Sequence, residues 1–196
     1  MGEPTGFIIG FLAGIVTNLL VWWALFHVIV PKIQFSPFIS KLPTTVPDSD
    51  NSGFRYRFKM RNGGRRGIID VELNATLRIE GLTKRKNFEL IGIPLTTDGE
   101  RRARINRLPR VRPGVKAARV YRLYINSVEE LSNRSIYPEH IRRKAEERAL
   151  TLEDLLVLGD EAYLQIAAFG YDEFSGARKL FLSKYYMLSH VKTGEF

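Results

Sequence analysis

From Phe7 to Val30 the chain carries no charged residue, and only Thr17, Asn18 and His27 in that run are appreciably polar. As a helix it would reach about 36 Å, against a hydrocarbon core of about 30 Å. A secretory signal would show a basic leader, a shorter apolar stretch and small residues at a cleavage point. Here Glu3 precedes the run, no Lys or Arg does, and it ends in the bulky HVIVP. The pattern predicts a retained single-pass transmembrane helix within residues 1–31. Gly6, Gly10 and Gly14 recur at every fourth position and lead on to Asn18 and Trp22, a slowly drifting stripe on one helix face. Glycine is common in membrane helices generally, but small residues in this register also let helices approach closely in lipid. An amide at mid-span needs a partner helix or water. The stripe therefore points to self-association, with Leu25, Phe26 and Ile29 as the constriction at the far end.

Beyond the helix the period changes to two. Residues 32–53 read as a connector and a polar, Pro-containing loop. In FRYRFKMR, Phe54, Tyr56, Phe58 and Met60 fall on one face and Arg55, Arg57, Lys59 and Arg61 on the other. After NGGRRG, alternation resumes with Ile69, Val71, Leu73, Ala75, Leu77 and Ile79 inward. The expected arrangement is a half-buried hairpin. With Met60 opposite Ile69, Lys59 would face Asp70 and Arg57 would face Glu72, so much of the basic ladder would be cross-strand charge pairing. Further strands are expected at Phe88–Leu95, Ala118–Ile125, Ala162–Gly170 and Lys179–Tyr186, with YDEFSGAR turning between the last two. PEHIRRKAEERA reads as a helical insertion, and Thr151 caps a short helix with Asp154 in its first turn. Many short strands with little helix predict a mainly β fold, an immunoglobulin-like sandwich over residues 54–196.

Charge sets orientation and candidate chemistry. All 30 Lys and Arg follow Val30, so the positive-inside rule puts the C-terminal part in the cytoplasm and the N-terminus outside. Beyond the helix 30 basic residues stand against 20 acidic ones, since Glu3 precedes it: a net +10. The chain has no cysteine, which excludes disulfides and thiolate metal sites. His27, His140 and His190 have no nucleophile or carboxylate in a recognisable order, and no phosphate loop is present, so the pattern offers no enzyme, no metal site and no cofactor. The remaining signal is RRARINRLPRVRPGVKAARVYR. It holds Arg101, Arg102, Arg104, Arg107, Arg110, Arg112, Lys116, Arg119 and Arg122, with no acid among them and with Tyr121 and Tyr124 nearby. Guanidinium groups suit bidentate phosphate contact and stacking on bases, and Arg with aromatics equips single-stranded nucleic-acid binding. A solvated basic surface, pairing with Glu129–Glu130 and Glu146–Glu147, or contact with anionic membrane lipid reads the same residues equally well.

Several of these features together resemble inward-rectifier potassium channels. Pro31-Lys32 follows the membrane helix. Asn62 has Lys59 and Phe58 before it and Ile68, Ile69, Asp70, Val71, Leu73, Ala75 and Leu77 after it, the register of that family's first cytoplasmic hairpin. Leu152–Leu156 resembles its short helical segment before a strand, GYDEFSGARKLFLSKYY its last hairpin, and Tyr186, Val191 and Gly194 its closing Tyr, Ile and Gly. The resemblance implies a Kir-like cytoplasmic sandwich in a fourfold ring, with inner-helix equivalents converging at the membrane. No TVGYG-like filter, pore helix or outer helix is present, so potassium selectivity does not carry over. The family's basic lipid-binding cluster is reduced to Lys32, followed by Ile33 and Gln34.

Two functional expectations follow. In the first, the chain is a tetrameric membrane effector or ion channel whose cytoplasmic ring binds an anionic nucleotide or single-stranded oligonucleotide. That build resembles bacterial anti-phage inner-membrane effectors, among them the Hailong type, in which a synthesised DNA oligomer restrains the channel. In the second, it is a non-conducting, membrane-tethered scaffold for nucleic acid or a protein partner.

Overall fold

The computed structural model describes residues 4–43, 53–83, 86–95, 102–111, 118–126 and 136–194. The apolar N-terminal run forms α1 (Pro4–Trp23) and continues into a π-helical turn, Ala24–Val28. From Gly6 to Val28 the helix is long and apolar enough to cross a membrane, and none of it is buried by the rest of the chain.

The remainder is mainly β, in two five-stranded sheets. In the first sheet β3 (Phe54–Asn62) is central. β1 (Ile33–Phe35) and β2 (Ile39–Pro43) share one side of it and β7 (Arg119–Leu123) takes the other, while β10 (Val191–Thr193) runs parallel to β2. In the second sheet the long β4 (Ile68–Thr83) is central. β8 (Glu161–Asp172) lies on one side, with β9 (Arg178–Leu182) beyond it; β6 (Arg102–Leu108) and β5 (Lys86–Ile93) divide the other side. The edges approach each other where Leu95, just past β5, bridges to Leu123 of β7, and the Tyr124 N–H donates to the Pro94 carbonyl.

The inward faces share one hydrophobic core. Tyr56, Phe58 and Met60 from the first sheet join Val71, Leu73, Ala75, Leu77 and Ile79 from the second, all fully buried. Period-two alternation thus assigned these faces correctly. Two short helices close the core: α2 (Glu139–Glu146) through Ile141, and α3 (Leu152–Leu156) through three buried leucines. Thr151 and Asp154 form the expected capping box. Asp154 is further held by Lys144 at 2.8 Å; burial works against the carboxylate charge, but the hydrogen bonds from Lys144 and Thr151 win and lower its pKa. The turn between β8 and β9 lies where YDEFSGAR placed it.

Three expectations are corrected. β3 and β4 do not form a hairpin: they belong to different sheets, and residues 63–67 carry the chain across the core. Lys59 therefore lies opposite Val120, and Arg57 lies between Ser40 and Arg122, while Glu72 pairs in register with Arg104 and Phe169. Ile69 is not inward. Asp70 adopts a left-handed φ of 51° at a bulge against β8, and the extra residue turns Ile68 into the core and leaves Ile69 38% exposed. Finally, the expected connector holds two strands, β1 and β2: Ile33 and Ile39 supply core side chains, and Ser36–Phe38 interrupts the pairing between them.

Candidate functional site

The corrected pairing changes the meaning of the basic ladder. None of the five strands of the first sheet contains a carboxylate. With Tyr56, Phe58 and Met60 turned inward, Arg55, Arg57, Lys59 and Arg61 of β3 face outward. Directly opposed residues share a face, so the row Lys192, Ser40, Arg57, Arg122 crosses the sheet from β10 to β7 on that outer side. Arg57 and Arg122 lie directly opposite each other across β3 and β7. The Arg122 guanidinium lies 4.7 Å from the Tyr124 ring centre, a cation–π arrangement.

The arginine-rich segment, continuous in sequence, is divided between the sheets. Arg102 and Arg104 lie on β6 opposite Asn74 and Glu72. Arg107 binds the Glu173 carboxylate at 2.5 Å, so it fastens β6 to the β8–β9 turn. Arg110 is exposed just past β6. Arg119 sits on the core side of β7, paired with Met60; burial pushes the nearby Tyr121 phenol up to about 12, with Arg119 acting against the rise. Among the described residues of the segment, Arg122 joins the outer face of the first sheet. Arg101, Arg112 and Lys116 lie outside the described residues.

That sheet is also the one the apolar N-terminal helix enters. The π turn ends with the Ile29 N–H donating to the Ala24 carbonyl at 2.8 Å, after which the chain passes through Val30, Pro31 and Lys32 into β1. Gly64 lies against this exit so closely that a Cβ there would stand 2.3 Å from the Lys32 nitrogen and 2.5 Å from the Val30 carbonyl oxygen. The Arg65 N–H donates to Val30 and the Gly63 N–H to Lys32. Asn62, fully buried, completes the junction. Its Oδ1 accepts from the Lys32 and Gly64 N–H groups at 3.2 and 3.0 Å, and its Nδ2 donates to the Arg66 and Leu108 carbonyls at 2.6 and 3.3 Å. Its own carbonyl accepts from the Val111 N–H at 3.1 Å. One side chain thus joins the helix exit, the crossing between the sheets and the end of the arginine strand. In sequence Asn62 reads as a turn residue; nothing local marks it as the point where three distant segments meet.

In the helix, Gly6, Gly10 and Gly14 have nothing within 4 Å of where a Cβ would stand, and Asn18 is exposed on the same element. Leu25 and Phe26 lie in the π turn and Ile29 closes it. The i to i+5 bonding places these three out of simple α register with the glycines. Trp22, Trp23, Phe26 and His27 cluster here, His27 stacking on Trp23 at 5.8 Å, an aromatic grouping suited to a membrane–water boundary.

No protein-family model and no curated protein matches the chain.

Proposed function

We propose that the chain is the subunit of a homo-oligomeric, tetrameric membrane effector of the bacterial inner membrane, an ion channel gated by an anionic nucleotide or short oligonucleotide. The observation that carries this reading is the row of basic side chains on the outer side of the sheet that receives the N-terminal helix through Asn62, on strands that themselves contain no acidic residue. In this reading the N-terminus is outside and the cationic sheet lies in the cytoplasm, as the positive-inside rule requires. The β domain is an immunoglobulin-like, Kir-like sandwich; two sheets with one core behind a single apolar helix are the part of that architecture supporting it. Self-association draws support from the open glycine stripe, and from β9, where Leu180 and Leu182 are each more than half exposed at a sheet edge.

A ligand gates only through different affinity for closed and open assemblies. Phosphates spread across Arg57, Arg122 and their neighbours would shift strands β1 and β3, and Asn62 would pass the shift to Lys32 and the helix. The reading is tested by ion flux through liposomes holding the full chain, with and without short single-stranded DNA. Flux that the oligomer switches on or off supports it and gives the sign of control. Absence of flux in both conditions, from an intact oligomer, would replace the channel with a membrane-tethered scaffold.

A further inference from the structure

The interruption between β1 and β2 opens a cavity of about 330 Å³ on the outer side of the first sheet. Phe38 supplies an aromatic wall and Gln34, Lys59 and Arg61 supply polar ones, with the backbone of β1 and β3 between them. The wall is braced by its own hydrogen bonds. The Ser36 N–H donates to the Lys59 carbonyl at 2.8 Å, the Lys59 N–H to the Ser36 hydroxyl at 3.1 Å, and that hydroxyl to the Phe38 carbonyl at 2.8 Å. Behind it, the fully buried Tyr186 hydroxyl donates to the Ser36 carbonyl at 2.6 Å. A recess of this size with an aromatic side chain at its edge, formed in advance, suits a small flat ligand.

Its cations suit an anion. The Arg61 Nε donates to a neutral partner, the Gln34 amide oxygen, at 2.9 Å. Lys192 stands 5.5 Å from the Phe38 ring centre. Among the described residues, none lining the cavity is acidic. The site also adjoins the junction with the helix: Gln34 pairs with Arg61, and the next pair along the same two strands is Ile33 with Asn62.

We propose that this cavity binds one nucleotide unit of the anionic ligand, its base against Phe38 and its phosphate on Arg61. The inference rests on the nucleotide-gating reading above and gives the cationic face a fixed end point, one residue pair from the helix exit. A ligand seated here bears on the Gln34–Arg61 pair next to Asn62, whereas phosphates elsewhere on the sheet act through longer stretches of strand.

The test uses the full chain in nanodiscs and two probes, a 5′-phosphorylated thymidine dinucleotide and its abasic analogue with the same phosphates. Stacking of one base on an aromatic side chain is worth about tenfold or more in affinity. Phe38→Ala should therefore weaken the dinucleotide about tenfold and leave the abasic analogue unchanged. Phe38→Leu, which keeps the volume, should show the same selective loss at an unchanged melting temperature. Arg61→Gln should weaken both probes and lower the salt slope by about 0.7, the loss of one phosphate contact. A dinucleotide carrying 5-iodouracil should photo-crosslink within residues 33–41. The proposal is overturned if both probes bind wild type and the Phe38 variants equally and the crosslink falls elsewhere; loss of binding on Arg122→Glu in that same case leaves the cationic face standing. If neither probe binds wild type, the cavity proposal and the nucleotide reading both fail.

Discussion

Replacing Asn62 with alanine removes four hydrogen bonds from a fully buried position: those to the Lys32 and Gly64 N–H groups and the Arg66 and Leu108 carbonyls. Each such bond contributes about 1 kcal/mol net, and a buried group left without a partner costs about 1–3 kcal/mol. Water can reach some of these groups, because Arg65 beside them is exposed. The expected loss is therefore about 2–4 kcal/mol, below the full sum. For a domain of this size that corresponds to a melting temperature lower by roughly 5–15 °C. Asn62→Asp separates the two halves of the side chain's work. A carboxylate still accepts from Lys32 and Gly64, but it sets an oxygen against the Arg66 and Leu108 carbonyls. At neutral pH this variant should lose at least as much as alanine, and its deficit should narrow as acid protonates the carboxyl and restores one donor. Chemical denaturation of the full chain in nanodiscs, with hydrogen–deuterium exchange at Lys32 and Gly64, measures both effects. A loss under about 0.5 kcal/mol for alanine, or full stability of the Asp variant at neutral pH, would refute the claim that this side chain fastens the helix to the sheets.

Gly64→Ala places a methyl group 2.3 Å from the Lys32 nitrogen, where only backbone can yield. Exchange protection at Gly63 and Arg65 should drop while the β8–β9 turn keeps its own, a contrast exchange mapping would show. Asp154 has a pKa lowered in the folded state, so its contribution is present above the ordinary carboxylate range and is lost as pH falls through the folded value. Melting temperatures from pH 7 to 3 should fall at the acid end, and Lys144→Met should flatten that fall. Reversing Arg122 to Glu removes a cation from the outer row of the first sheet, so oligonucleotide affinity should drop; Arg107→Glu, which breaks the Glu173 pair, should lower thermal stability. Asn18→Leu and Gly10→Leu should abolish flux yet leave oligonucleotide affinity intact, and binding lost together with flux would count against separate helix and ligand sites.

Local chemistry wrote much of this protein plainly. The apolar run from Phe7 to Val30 is helical over nearly its whole length, because nothing in it breaks a helix and its composition suits lipid. Alternation placed Tyr56, Phe58 and Met60 in the core, since side chains alternate on any strand whatever its neighbour. The Thr151–Asp154 cap and the turn after β8 were legible because their partners lie within a few residues. Even where alternation failed, at Ile69, the cause is a single bulged residue.

What tertiary structure decided is which strand lies beside which. Alternation states a face and not a partner, so FRYRFKMR and IIDVELNATLRIE fit a hairpin as well as a crossing between sheets. That choice determines whether Arg57 lies opposite Glu72 or opposite Arg122, and so which charges share its row on the sheet. The arginine segment was divided for the same reason: β6 and β7 answer to different central strands. Asn62 and the cavity at Phe38 lie furthest from sequence legibility, because each is made by segments far apart in the chain, and burial, register and hydrogen bonding exist only once those segments meet.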